Sequence, residues 1–283
     1  GVEELNLIQR YKLAIEAGVN LFSGTADPSK LIETLNNHLE LMPLVDESVH
    51  RLLLEKFRLG LFENPYVDVN AAEKIVGKKE FQDKANIALR KSIVLLRNGS
   101  TDKASLPLKA KTKVYFESHQ ISQGKPLNNV FTPDTNNWEV EFVDTAEEAD
   151  IVLLWLIPKS KSLFESNGSP LHVSLSKNGI DISYVNQLVS IKPTILAINY
   201  TNPWAIDEVY SSNKNNVKAV LASFGTTHEA LLDVLTGKFK PSGKMPFSTP
   251  ISEEAALTQK SDIPGYLEGP SYALFHFDEG LTY

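Results

Sequence analysis

An α/β fold with a mainly parallel sheet is predicted by three features of this sequence. Apolar strand-like runs alternate with helical stretches from Ser92 to Leu235. One of them, Asp150 to Ile157 (DIVLLWLI), is apolar on both faces, as a central strand between two helical layers must be. A shorter helix–strand–helix segment over residues 5–58 precedes them, in the rhythm of an α/β barrel or a doubly wound sheet.

Leu5 to Ala17 carries apolar residues at 5, 8, 11 and 15 and predicts an amphipathic helix ending at Gly18. Val19 to Phe22 reads as a short buried strand closed by Ser23-Gly24. Asp27-Pro28-Ser29 opens a second helix, with Pro28 near its first turn. Asp46 to Arg58 is a third, its acidic start and basic end suited to the helix dipole. One strand with two or three helices cannot bury both faces of a parallel sheet. Residues 1–62 therefore either pack on another part of the chain or form the tail of a domain that starts before Gly1.

Leu59 to Asn70 is aperiodic and rich in turn residues, which predicts a linker, and Ala71 to Arg90 is helical with Gly77 as a break. Strands are predicted at Ser92 to Leu96, Thr112 to Phe116, Trp138 to Val143, Asp150 to Ile157, Pro193 to Tyr200 and Val217 to Phe224. Helices are predicted at Ile182 to Val189, Ala205 to Tyr210 and Glu229 to Leu235. Gly237 closes the last of these, a turn follows at Pro241-Ser242-Gly243, and Lys244 to Phe247 leaves it extended.

The 283 residues are 42% hydrophobic and 22% charged, with net charge −7 and no block of lysine or arginine. That composition suits a globular chain and argues against nucleic acid or an anionic membrane as the main partner. No apolar run approaches the roughly 20 residues of a membrane span. The absence of cysteine removes disulfides, cysteine zinc sites and thiol nucleophiles, and the compartment stays open. Histidines at 38, 50, 119, 172, 228 and 276 show no metal spacing, so no metal is expected. Glycine-rich phosphate loops, a dinucleotide fingerprint and a Gly-x-Ser-x-Gly elbow are absent too, and no cofactor is expected.

Three segments in order resemble glycoside hydrolase family 3, the β-glucosidase family. They are Ala17-Gly18-Val19-Asn20-Leu21 with DESVHRLLLEKFRLGLF (Asp46 to Phe62), then ALRKSIVLLRN (Ala88 to Asn98) with Leu106-Pro107-Leu108, and the stretch from Gly225 to Tyr283. The last holds LTGKFKPSGKMPF and ends in FHFDEGLTY, similar to the family's FGxGLxY with Asp278 and Glu279 where glycine-rich spacing is usual. The resemblance implies the last strand and helices of an incomplete (β/α) barrel over residues 1–62, a linker and helix over 63–90, and the family's carboxy-terminal α/β sandwich domain over 91–283. Two departures stand out: Asn20 replaces an aspartate usual in relatives, and Pro158 to Leu175 matches only loosely.

A retaining glycosidase needs two carboxyl groups about 5–5.5 Å apart, a nucleophile and an acid/base. The resemblance implies that the barrel supplies the first and the sandwich domain the second. It puts the nucleophilic aspartate on the strand before the Leu5 to Ala17 helix, upstream of Gly1, so this chain alone is expected to be inactive or nearly so. Glu3 and Glu4 read as first-turn residues on the helix dipole. The acid/base is expected on a loop beyond the carboxyl end of a sheet strand. The polar loop after DIVLLWLI holds one carboxylate, Glu165, the candidate acid/base; the competing reading is a solvent-exposed loop glutamate. His172 on the same loop could hydrogen-bond a sugar hydroxyl, or be structural. Trp204 could stack on a sugar ring, or pack in the core. Asp207, Asp233 and Asp262 read as helix-end or turn residues, and Lys244 as structural, through its stem or a bond to a carbonyl.

The expected function is the carboxy-terminal part of an exo-acting β-glycosidase, a β-glucosidase first, with a β-glycoside as substrate and the missing amino-terminal barrel portion as partner. Two alternatives stay open. One is the family's β-N-acetylhexosaminidase branch, in which an aspartate–histidine pair on a barrel loop does the acid/base work. The other is a carbohydrate-binding or interaction module that kept the fold and lost the chemistry.

Overall fold

The computed structural model describes residues 2, 4–24, 26–100, 103–122, 125–133, 137–159, 172–259 and 269–283. The chain divides into two compact units, residues 1–78 and 79–283.

The first unit is helical: α1 (Leu7–Glu16), α2 (Ser29–Asn37), α3 (Met42–Arg58) and α4 (Val69–Ile75). A capping box sets the start of α1, with Asn6 Oδ1 accepting from the Gln9 amide at 3.0 Å and Gln9 Oε1 from the Asn6 amide at 2.9 Å. Helix α3 begins at Met42 rather than Asp46, because Pro43 fits a first helical turn. The strand expected at Val19 to Phe22 does not form. A strand needs a ladder partner, and the described residues of this unit contain no other strand. Val19 and Leu21 are accordingly exposed, and Asn20 Nδ2 turns back onto the Gly18 carbonyl at 2.6 Å. Little of the unit's apolar surface is covered: Ile15 and Leu41 are buried, whereas Leu52, Leu53, Leu54 and Phe57 of α3 face water.

The break expected at Gly77 is present (φ +70°), and α5 (Lys79–Lys91) beyond it opens the second unit. The sheet contains β1 (Val94–Asn98), β2 (Lys113–Ser122), β3 (Lys125–Phe131), β4 (Glu141–Phe142), β5 (Ile151–Ile157), β6 (Thr194–Asn199) and β7 (Val217–Ser223). Its order is β1-β7-β6-β5-β2-β3, with β4 beside the start of β2. Strands β7, β6, β5 and β2 are parallel, and β1 and β3 are antiparallel. Helix α6 (Ile182–Ile191) lies between β5 and β6 and α7 (Asp207–Tyr210) between β6 and β7, and α8 (His228–Leu235) and α9 (Glu253–Leu257) follow β7, with a two-stranded sheet of β8 (Thr249–Pro250) and β9 (Ala273–Phe275).

Alternate residues of the central strands feed two cores. Leu154, Leu156, Leu196 and Ile198 meet Val185 and Val189 of α6 and Val209 of α7. Leu153, Trp155, Ile195 and Leu221 meet Leu231, Val234 and Leu235 of α8 on the other face. Each such side chain contributes about 1.5–3 kcal/mol on leaving water. Gly237 ends α8 in the left-handed region (φ +82°), as expected. The end of the chain is laced to the sandwich: Lys244 Nζ donates to the Gly280 carbonyl at 2.8 Å and the Leu281 amide to Leu95 O at 2.7 Å.

Asp233 ties α5 to α8. Its carboxylate accepts from Arg90 Nε at 2.7 Å and from Trp138 Nε1 at 2.9 Å, with the Arg90 side chain 24% and its own 16% exposed. Asp233→Leu leaves the Arg90 guanidinium without its carboxylate and an indole N–H unpaired, and is expected to cost about 2–3 kcal/mol in urea unfolding. The Arg90→Met/Asp233→Leu pair is expected to recover part of that loss.

Candidate crevice at the carboxyl ends of the strands

Because β2, β5, β6 and β7 are parallel, their carboxyl ends gather at one edge of the sheet, where ligands of open α/β sheets bind. Gln120 and Ile121 of β2, Pro158 and Lys159 after β5, and Asn199 and Thr201 after β6 line a cavity there of about 290 Å³. Its walls are held by buried polar contacts. Asn199 Oδ1 accepts from the Gly225 amide at 2.8 Å, and Trp155 Nε1 donates to Ser223 Oγ at 3.2 Å, so the ends of β5, β6 and β7 are joined. Beneath them Tyr200, Phe224 and Phe247 pack with ring centroids 6.4, 6.2 and 6.1 Å apart. The Pro246-Phe247 motif is thus part of the wall's support.

Asn178 clasps the two stems that lead into and out of residues 160–171. Its carbonyl accepts from the Lys159 amide at 3.0 Å, and its Nδ2 donates to the carbonyls of His172 (2.9 Å) and Ser174 (2.7 Å). The next residue, Gly179, has φ +90°, and a Cβ there would lie 2.2 Å from the Ile121 side chain, so only glycine fits.

Of the site residues expected from the sequence, Glu165 and also Asp262 lie outside the described residues. His172 stands at the outgoing stem with its side chain 38% exposed and its Nδ1 2.8 Å from Glu253 Oε1. Lys177 Nζ reaches the other oxygen, Oε2, at 2.8 Å and His172 Nδ1 at 3.2 Å. Partial burial would raise the Glu253 carboxyl, but the bonds and charges of Lys177 and His172 hold it down at about 2. Glu253 and Lys177 escaped the sequence reading; the Ser252 cap followed by two glutamates was the signal of a short helix there. Trp204 is a correction. It is fully buried and its Nε1 donates to the Asn199 carbonyl at 3.0 Å, so its faces are spent on the core and no sugar can stack on them.

A second cluster lies on β2 beneath α6, also unforeseen because its side chains converge only through the sheet. Glu117 is buried and accepts from Tyr115 Oη at 2.6 Å and Tyr184 Oη at 3.3 Å. His119 lies 2% exposed, its Nε2 3.5 Å from Glu117 Oε1. Burial pushes Glu117 up against the opposing pull of the two tyrosine hydroxyls. Burial also pulls His119 down to about 4, with the Asp181 charge and a hydrogen bond with the Asn128 side chain acting the other way. No group of metal-ligating side chains occurs among the described residues.

Fold and crevice together define the class: an α/β sandwich domain with helices on both faces of a mostly parallel sheet and a polar cleft at the strands' carboxyl ends. Residues 93–283 match the glycosyl hydrolase family 3 C-terminal domain. This chain belongs to glycosyl hydrolase family 3. It is 36% identical over its full length to β-glucosidase C of Emericella nidulans, covering 43% of that protein. It is 27% identical over its full length to a periplasmic β-glucosidase/β-xylosidase of Dickeya chrysanthemi, covering 41% of it. Thus it spans less than half the length of these relatives. Among solved structures, a mutant β-glucosidase of Listeria innocua in complex with laminaribiose superposes with a TM-score of 0.61 at 22% identity, over 98% of this chain and 44% of that one. That likeness concerns the fold alone.

His119 makes a pH prediction. Its folded value lies below its ordinary 6.5, so the unfolded chain binds the extra proton and stability is lost as pH falls from 6.5 toward 4. Glu117, raised, acts oppositely, losing stability as pH rises through its shifted value. Urea unfolding between pH 7 and 4 is expected to show stability falling with a slope up to about 1.4 kcal/mol per pH unit from His119. His119→Phe should flatten that limb.

Proposed function

We propose that this chain works as the carboxy-terminal part of a retaining, exo-acting β-glycosidase, in the first instance a β-glucosidase. The 36% identity of this whole chain to 43% of β-glucosidase C of Emericella nidulans carries the reading. In it, residues 1–62 are the barrel remnant, 63–90 the linker and helix, and 91–283 the sandwich domain. The uncovered leucines of α3 support this, since they suit a helix whose apolar side belongs against a larger core. The nucleophile comes from the barrel, ahead of α1, and the chain by itself turns over little or no substrate.

Glu165, which falls in sequence between the two stems that Asn178 joins, is the acid that protonates the leaving oxygen and then the base that activates water. His172, its ring held by Glu253, offers a hydrogen bond to a sugar hydroxyl. The Dickeya chrysanthemi relative, a β-glucosidase/β-xylosidase by name, makes β-xylosides a second substrate class to assay.

The test is Glu165→Gln in the intact natural polypeptide, assayed on aryl β-glucosides and β-xylosides. Loss of about 10²–10⁴ in kcat/KM on substrates with poor leaving groups, with good ones largely spared, is the expected result. Equal rates in both proteins would remove Glu165 from the mechanism and favour the hexosaminidase branch. No hydrolysis of any substrate by the unaltered polypeptide would favour a binding module.

A further inference from the structure

At the opposite edge of the same sheet lies a larger cavity, of about 720 Å³, where β5, β6 and β7 begin and β1 ends. Its described lining includes Arg97, Lys103, Lys109, Lys214 and Lys218, against a single carboxylate, Asp150. The chain as a whole carries net charge −7, so this concentration of cations runs against the bulk composition. Among the described residues none of the five enters an ion pair, and Asp150 Oδ2 is occupied by the Lys113 amide at 2.9 Å.

The wall of the cavity is built rather than draped. Asn98 Oδ1 accepts from the amides of Ser105 (2.9 Å) and Leu106 (2.7 Å), and the Gly99 amide donates to the Lys218 carbonyl at 2.6 Å. Gly99 has φ +67°, and a Cβ there would meet the Lys103 carbonyl oxygen at 2.1 Å, so the turn closes only over glycine. Two of the cations share an aromatic support. Arg97 Nη1 donates to Tyr210 Oη at 2.6 Å with its guanidinium 5.5 Å from that ring, and Lys214 Nζ lies 5.9 Å from the same ring. Lys218 Nζ bonds the Asn215 carbonyl beside them.

We infer that this cavity is a binding site for a small ligand carrying two or more phosphate or sulfate groups. Single exposed lysines are ordinarily just solvated. Here, though, five cations surround one concavity, where low-dielectric walls focus their field. Gathering five like charges around the one described carboxylate, Asp150, costs free energy, which a multivalent anion reverses. A guanidinium held in place and several ammonium groups match tetrahedral oxyanions through charge-assisted hydrogen bonds. The volume falls within the roughly 300–1,000 Å³ of ligand sites, enough for more than one such group. The inference does not rest on the glycosidase reading, because the cavity lies across the sheet from the crevice.

Calorimetric titration of the purified chain with inorganic pyrophosphate, and separately with a sulfated disaccharide, tests it without any turnover assay. Saturable binding is expected, falling about tenfold in affinity as ionic strength rises from about 0.01 to about 0.15 M and the Debye length shrinks from about 30 to about 8 Å. The Lys214→Glu/Lys218→Glu variant should lose at least about tenfold, one unit of roughly 1.4 kcal/mol. Lys84→Glu on the exposed face of α5 should bind like the parent. Pyrophosphate alone binding would mark a phosphate ligand, and the sulfated sugar alone an acidic glycan. Absence of binding by both probes at low salt would overturn the inference, as would undiminished binding by the double variant while its thermal unfolding matches the parent.

Discussion

Strands β5, β6 and β7 place their peptide groups in a layer that water does not reach, and each buried amide and carbonyl there must find a partner in the ladder. Parallel pairing satisfies them, but it leaves both faces of the sheet apolar and obliges helices to cover each one. Helices α6 and α7 take one face and α8 the other. Solvent-exposed polar groups of the sheet are thereby gathered at the two edges where strands start and stop, and the buried Glu117 on β2 needs the hydroxyls of Tyr115 and Tyr184 to be accommodated on a covered face. The crevice and the basic cavity are the two consequences of that single constraint.

How much of this could be read beforehand followed from the same physics. The doubly buried strands announce themselves as unbroken apolar runs, so β5, β6 and β7 were placed to within a residue or two. The β2–β3 hairpin was not: beyond Phe116 its residues, Glu-Ser-His-Gln, look like a loop because they are polar, although they pair with both β5 and β3 and Glu117 and His119 are buried. Val19 to Phe22 failed in the opposite sense. Its residues are those of a strand, yet a strand exists only with a neighbour, and pairing is a property of the fold that no local pattern contains.

The crevice was legible as a location rather than as a set of side chains. Parallel topology points to the carboxyl ends of the strands, and Pro158 and Lys159, which follow β5, line the crevice there. Trp204 was misleading because an aromatic after a strand end looks the same in sequence whether it faces solvent or turns inward. Its inward turn is settled by one hydrogen bond to the chain five residues back. Glu253 was invisible for another reason: it meets His172 across 81 positions of sequence.

Asn178 has an implication for how the domain can change over generations. Because one residue holds both stems, the ends of the segment between them stay together whatever it contains. The entropy of closing such a segment grows only logarithmically with its length, about 0.6 kcal/mol for each doubling. The sequence between the stems can therefore lengthen, shorten or change composition while the strand ladder keeps its register. Selection can revise that stretch of sequence separately from the stability of the sheet.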